Sequence, residues 1–175
     1  MRSAVAADAL AIYNVFHYSW HATYTPIWGA ERAGISQPSI SMIETCLRSA
    51  AQNRGAHFSV AIADDELIGF ALSTPAIWLQ RAFLAMLYVH PKHLDRGAGS
   101  QLLLDALSHH ERLRVMRVHV VPENEQAIRF YARRGFRLVS RSYNLQARTP
   151  VIVLQKPLSD FENSYKSGLG ALLFG

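Results

Sequence analysis

Three groups of residues in this chain have the means to do chemistry. The first is the run DRGAGS, residues 95–100. Gly97 and Gly99 allow a backbone to come close to a ligand. The helix-forming run behind them would supply unpaired N–H groups and the positive end of a helix dipole. Such a loop suits a bound anion; the same residues also suit a plain turn from strand to helix. It is not a Walker A loop, because no Gly-Lys-Ser/Thr follows. It is also shorter than the G-x-G-x-x-G dinucleotide fingerprint. The second is Tyr131, in NEQAIRFYARRGF, residues 124–136. A phenol can give a proton to a leaving group, or pack as an aromatic with its hydroxyl satisfied by backbone. The third is the set of eight histidines, whose protons come and go near neutral pH. His119 lies in a β-branched run, either as a proton acceptor or as an ordinary sheet-face histidine. His17 and His21 are four apart but lack the glutamate of H-E-x-x-H, and no histidine pair has acidic or cysteine partners, so no metal site is expected.

The elements that would position these groups follow from periodicity. Residues 2–6 can form a short strand. A helix is expected from Ala7 to about Tyr24, with Leu10, Tyr13, Phe16, His17, Trp20 and Tyr24 on one face, and a break at Pro26 and Gly29. Residues 39–54 fit a second helix with Ser39 as N-cap and Gly55 as stop. HFSVAIAD and ELIGFALS flank Asp64 and Asp65 and read as an antiparallel hairpin. AFLAMLYVHP is a strand too apolar for an edge. The helix entered at Gly97 runs to about His110, and VMRVHVVP is the next strand. Asn124 then caps a helix that Gly135 ends, and two strands, FRLVSRSYNLQ and TPVIVLQKP, close the pattern. The order β-α-α-β-β-β-α-β-α-β-β implies one α/β domain over residues 1–157: a mixed sheet with helices on both faces. Residues 158–175 form a tail, free or docked on this chain or a partner, with a homodimer one outcome.

Composition narrows the partners. The net charge of +5 and pI near 9.7 point to an anionic partner. The cations are scattered, so a nucleic-acid binder rests on charge alone, and a polyphosphate ligand fits as well. With one cysteine, Cys46, no intrachain disulfide is possible. There is no uninterrupted apolar leader and no membrane-length apolar run, so a cytoplasmic protein without membrane contact is expected.

The glycine loop, followed about 25 residues later by N-x-x-A-x-x-F-Y-x-x-x-G-F, resembles the GNAT superfamily of N-acetyltransferases, over about residues 57–157. Ser19, Trp20 and Tyr24 also look like the first helix of a bacterial subgroup with polyamine acetyltransferase-like members. The resemblance implies the acyl-CoA N-acyltransferase fold, with a sheet that splays where two parallel strands part. It implies acetyl-CoA as cofactor and an amine, small or peptidic, as acceptor. Backbone groups of Leu87 and Val89 would pair with the pantetheine arm. The pyrophosphate would rest on Asp95, Arg96, Gly97, Ala98, Gly99 and Ser100, with Arg96 adding charge and Asn124 near the arm. Tyr131 would be the general acid. The family's frequent Gln or Arg before the loop is Leu94 here. Its frequent acidic or histidine base positions are Phe83 and Ala85, neither of which takes a proton. Among the histidines, His119 ranks first as a substitute base, ahead of His90, His17 and His21. Trp20, Tyr24 and Trp28 are candidate walls of an acceptor pocket. The rival reading, which Phe83 and Ala85 motivate, is a non-catalytic acyl-CoA-binding regulatory module.

Overall fold

The structure, a computed structural model, describes residues 1–35, 39–53, 55–145 and 148–158. The tail expected over residues 159–175 lies outside the described residues. Leu158, placed in that tail by sequence, is buried in the core, and its N–H donates to the Arg114 carbonyl.

Seven strands form one mixed sheet: β1 (Arg2–Ser3), β2 (His57–Ala63), β3 (Glu66–Ala76), β4 (Arg81–Val89), β5 (Val115–Val120), β6 (Arg137–Asn144) and β7 (Thr149–Pro157). Their spatial order is β1-β2-β3-β4-β5-β7-β6. The hairpin of β2 and β3 closes through Asp64 and Asp65, both at positive φ (49° and 61°). Two such residues twist in the same sense as the strands they join. β4 and β5 are parallel, so a crossover must join them, and helix α4 (Ala98–His109) supplies it. β7 inserts between β5 and β6 and pairs antiparallel with both.

Four further helices complete the layers: α1 (Ala9–Trp28), α2 (Ala30–Ile35), α3 (Ile40–Gln52) and α5 (Glu125–Ala132). One core cluster joins α4 and α5 to the sheet through Leu102, Leu103, Met116, Val118, Tyr131 and Leu154. The other joins α1 and α3 to the opposite face through Ile12, Phe16, Ile43, Phe58 and Phe70. Covered on both faces, β3 is buried almost throughout, as its near-continuous apolar sequence requires. Among the described residues no helix is long and apolar enough to cross a membrane.

Two expectations for the first helix are corrected. Its buried stripe is Ile12, Val15, Phe16, Ser19 and Trp20, while Leu10 is 60% exposed. Ile12 and Val15 join Phe16 and Trp20 on the inward face, and Tyr13 and Tyr24 pack at its margin. The helix also continues through Pro26 to Trp28, where Gly29 at φ 80° ends it, and a short α2 follows. Stacking of Trp28 on Tyr24 (4.4 Å, 17° between planes) holds the turn that contains the proline.

The site is prepared by a parting of strands. β4 and β5 are in register only from Arg81–Val115 to Leu84–Val118. At that point β4 takes one extra residue: Leu72 of β3 faces Met86, but Ser73 faces Leu84. The bulge at Ala85 bends β4, and the stretch from Ala85 to Val89 has no partner on the β5 side.

Candidate active site

The loop before α4 has the form of an anion cradle. Asp95 and Gly97 both have positive φ (61° and 86°), and Gly97 is the N-cap of α4. Among the described residues no carbonyl accepts from the backbone N–H groups of Asp95, Arg96, Gly97, Ala98 or Gly99. The Ser100 N–H is already turned inward, to the Gly97 carbonyl at 3.0 Å. A Cβ at Gly99 would stand in ordinary contact with its neighbours, 3.4 Å from the Phe130 ring and 3.6 Å from Val89.

The open edge of β4 runs toward this loop. The His90 N–H donates to Ile68 of β3 at 2.8 Å. Backbone groups alternate sides along a strand, so those of Leu87 and Val89 point the other way, where β5 has departed. The Val89 carbonyl is taken by the Ser19 hydroxyl, which donates to it at 2.8 Å. The Leu87 N–H and carbonyl and the Val89 N–H are left for a strand-like ligand.

A cleft of about 390 Å³ joins edge and cradle. α1 contributes Ser19, Ala22, Thr23 and Tyr24; β4 contributes Leu87, Tyr88 and Val89; the loop contributes Asp95, Gly97, Ala98, Gly99 and Ser100. Asn124, Phe130, Tyr131 and Arg134 line the far wall. Asn124 caps α5 by accepting the Ala127 N–H at 3.0 Å, and its side chain lies beside the Tyr24 hydroxyl. The Tyr88 side chain lies beside Tyr24 as well. Burial pushes the Tyr131 phenol well above its ordinary value, with Tyr24 adding and Arg134 opposing. Burial also raises Tyr88 and Tyr24. All three keep their protons at neutral pH.

Arg134 spans the cleft. It donates to the Phe130 carbonyl at 2.8 Å and to the Ser100 hydroxyl, and its guanidinium lies 3.7 Å from the Phe130 ring centroid. It places a positive charge beside the cradle.

The model of the Acetyltransferase (GNAT) family matches residues 15–136. The chain belongs to the GNAT family. Peptidyl-lysine N-acetyltransferase YiaC of Escherichia coli (strain K12) is 28% identical to this GNAT chain over 95 residues, 54% of this chain and 60% of that protein. The match thus spans less than two thirds of that relative. The PaiA N-acetyltransferase of Thermoplasma acidophilum, solved in complex with coenzyme A, superposes with a TM-score of 0.77 at 23% identity, covering 89% of this chain and 96% of that one. The ribosomal-protein-S18-alanine N-acetyltransferase of Escherichia coli superposes at 0.68 with 19% identity over 90% and 92%. Both likenesses are of fold.

The GNAT cleft gathers most of the residues singled out by sequence, and leaves some aside. Leu87, Val89, Asp95, Gly97, Ala98, Gly99, Ser100, Asn124, Tyr24 and Tyr131 all line it. Arg96 is exposed and does not. Trp20 is only 8% exposed and uses its indole N–H on the Ala33 carbonyl at 2.9 Å, so it belongs to the core. Trp28 stacks on Tyr24 and carries Arg32 over its ring at 4.9 Å, so a cation of this chain already occupies it. His119 stands beside the parting, edge-on to Phe83 (6.3 Å, 81°). Partial desolvation, then the charge of Arg117, lowers its pKa below the ordinary histidine value. Sequence reasoning missed Arg134 and Tyr88, and it named Ser19 only as part of the first helix's resemblance, with no role in the site. The doubled arginine before Gly135 was the one available signal for Arg134; Tyr88 looked like an ordinary strand residue.

Proposed function

We propose that this chain is an acetyl-CoA-dependent N-acetyltransferase, moving an acetyl group to a primary amine by direct attack in a ternary complex. The observation that carries the reading is the convergence of an open strand edge, an N–H cradle and a protonated tyrosine on one cleft. Acetyl-CoA fits these residues and would supply an activated acetyl thioester. Leu87 and Val89 hold its extended arm by backbone pairing, and the N–H groups of residues 95–99 with Arg134 hold its phosphates. A backbone N–H of the open edge of β4 polarises the carbonyl. Tyr131 keeps a proton at its hydroxyl for the departing sulfur.

Free alkyl amines are about 99.9% charged at pH 7, so the acceptor must lose a proton before it attacks. His119, neutral at that pH, takes it, in place of the carboxylate that Phe83 and Ala85 cannot provide. Cys46 does not form an acyl intermediate: it lies on α3, outside the cleft, and burial raises its thiol pKa. That relatives are named for peptidyl-lysine and ribosomal-protein alanine acetylation supports an amine acceptor. Phe83 and Ala85 support a second reading, a non-catalytic acyl-CoA-binding module.

Thermal melting with acetyl-CoA, and with ATP as polyphosphate control, tests the cofactor. At about 100 times its Kd a ligand adds about 2.7 kcal/mol of stability, so a shift of several degrees with acetyl-CoA alone is expected. Thiol release with amine acceptors then separates the readings. Tyr131→Phe is expected to lower kcat by about 10²-fold or more while cofactor affinity stays. A melting shift without any amine-dependent thiol release would favour the binding module.

A further inference from the structure

The face of β4 and β5 turned away from α4 and α5 carries cations that have no carboxylate partner among the described residues. Met116, Val118 and Val120 of β5 are buried beneath α4 and α5, so Arg117 and His119 project from the opposite face. Ala82 and Leu84 alternate in the same way on β4, which puts Arg81 and Phe83 beside them. The register then extends one row across four strands: Phe83, Arg117, Gln155 and Arg137.

Within that row Arg117 is held in place. Its Nε donates to the Gln155 side-chain oxygen at 2.7 Å. A guanidinium has five N–H donors, so the bond to Gln155 leaves the terminal nitrogens for something else. Partial desolvation and the neighbouring charge of Arg81 lower the Arg117 pKa, and Arg117 does the same to His119. Among the described residues no carboxylate lies within ion-pair distance of Arg81, Arg117 or Arg137. Like charges side by side repel, and an anion between them removes that repulsion. Guanidinium groups suit planar carboxylates and phosphates in particular.

The location fits one part of a substrate. Arg117 is one residue before the last paired position of β4 and β5, and His119 is one residue after it. At about 3.3 Å per residue, the row lies roughly 7 Å from the level of His119, where the strands have parted and the amine would meet the open edge of β4.

We propose that the acceptor amine also carries an anionic group, a carboxylate or phosphate, which Arg117 receives with Arg81 while the amine faces the parting beside His119. This rests on the acetyltransferase reading. It adds the acceptor's charge to it. The anion can belong to a small molecule or to an acidic side chain next to a peptide amine.

Thiol release from acetyl-CoA with matched acceptors tests it. The pairs are 4-aminobutanoate against 1-aminobutane, phosphoethanolamine against ethanolamine, and a lysyl peptide with flanking glutamates against one with glutamines. The anionic member of at least one pair should be favoured roughly tenfold or more in kcat/KM, the factor one charge-assisted hydrogen bond supplies. Which pair responds identifies the source. Arg117→Gln should bring that ratio near one through the acceptor KM, with the acetyl-CoA KM unchanged, and Arg117→Lys should keep part of it. Equal use of both members in every pair, or a preference that survives Arg117→Gln, overturns the proposal. If acetyl-CoA binds but no amine is acetylated, the acetyltransferase reading fails. Calorimetric titration of the coenzyme-A-loaded protein with 4-aminobutanoate and phosphoethanolamine then decides the subsite separately: binding lost in Arg117→Gln keeps it, and no binding removes it.

Discussion

The hydroxyl of Ser19 on α1 donates to the carbonyl of Val89 on β4 at 2.8 Å, joining residues 70 positions apart. It removes the acceptor nearest the cradle from the open edge of β4 and leaves the Val89 N–H. It also anchors the helix that carries Tyr24 to the strand that carries Tyr88, and the two side chains lie side by side in the cleft.

Ser19→Ala leaves the Val89 carbonyl without its donor in a mostly buried place. A loss of about 1–2 kcal/mol is expected, with a fall of a few degrees in melting temperature. Differential scanning calorimetry of the ligand-free protein checks this; an unchanged melting temperature would show that the bond contributes nothing.

Arg134 and Arg96 are both close to the loop in sequence or space, but only Arg134 lines the cleft. Arg134→Gln should weaken acetyl-CoA binding roughly tenfold, the worth of one charge-assisted contact to phosphate. Arg96→Gln should change it less than about twofold, as an exposed charge does. Titration calorimetry at one fixed salt concentration compares them. The opposite order would return the charge to the residue chosen from sequence.

His119 has a pKa below the ordinary histidine value. As a base it works when neutral, so kcat/KM should hold from pH 8 down past 6.5 and fall only below that. His119→Gln should cost about 10²-fold and remove the acidic limb. A pH–rate profile that is flat in the wild type, or unchanged in the variant, would take the base role from this residue.

His110 is a separate matter of stability. It is buried, with its ring nitrogen 2.9 Å from the Ser73 hydroxyl. Burial, then the charges of His109 and His57, lowers its pKa from 6.5 to about 4. Between those values the unfolded chain takes up a proton that the folded chain refuses. Stability from this residue is therefore complete above pH 6.5 and is lost as the pH falls toward 4, by on the order of 2 kcal/mol. Urea unfolding at pH 7, 6 and 5 should show the decline, and His110→Gln should flatten it.

The parts legible in advance were those decided within a few residues. Ser39 caps α3 by accepting the Met42 N–H at 3.3 Å, and Asn124 caps α5 in the same way. Gly97 and Gly135 adopt the positive φ that a loop entry and a helix end need, at 86° and 83°. Such conformations follow from neighbouring residues, and the cradle was visible because it is built from one of them. The helical path through Pro26 was not visible. A proline argues locally for a break, and it is Trp28 packing on Tyr24 and Trp20 that holds the turn together.

By itself the sequence determined the order of elements apart from the short α2, the glycine loop at the start of α4, the position of Tyr131 in its helix, and the absence of a base at Phe83 and Ala85. Each is a matter of residue identity or of contacts a few positions apart. Only the tertiary structure decided what those residues meet. The bulge at Ala85 and the parting of β4 from β5 open the strand edge. The insertion of β7 sets Gln155 against Arg117. Packing of α5 on α4 carries Arg134 to Ser100, 34 residues away. Side chains that far apart in the chain meet only once the whole sheet is assembled and its helices have packed on it, and no local pattern encodes such a meeting.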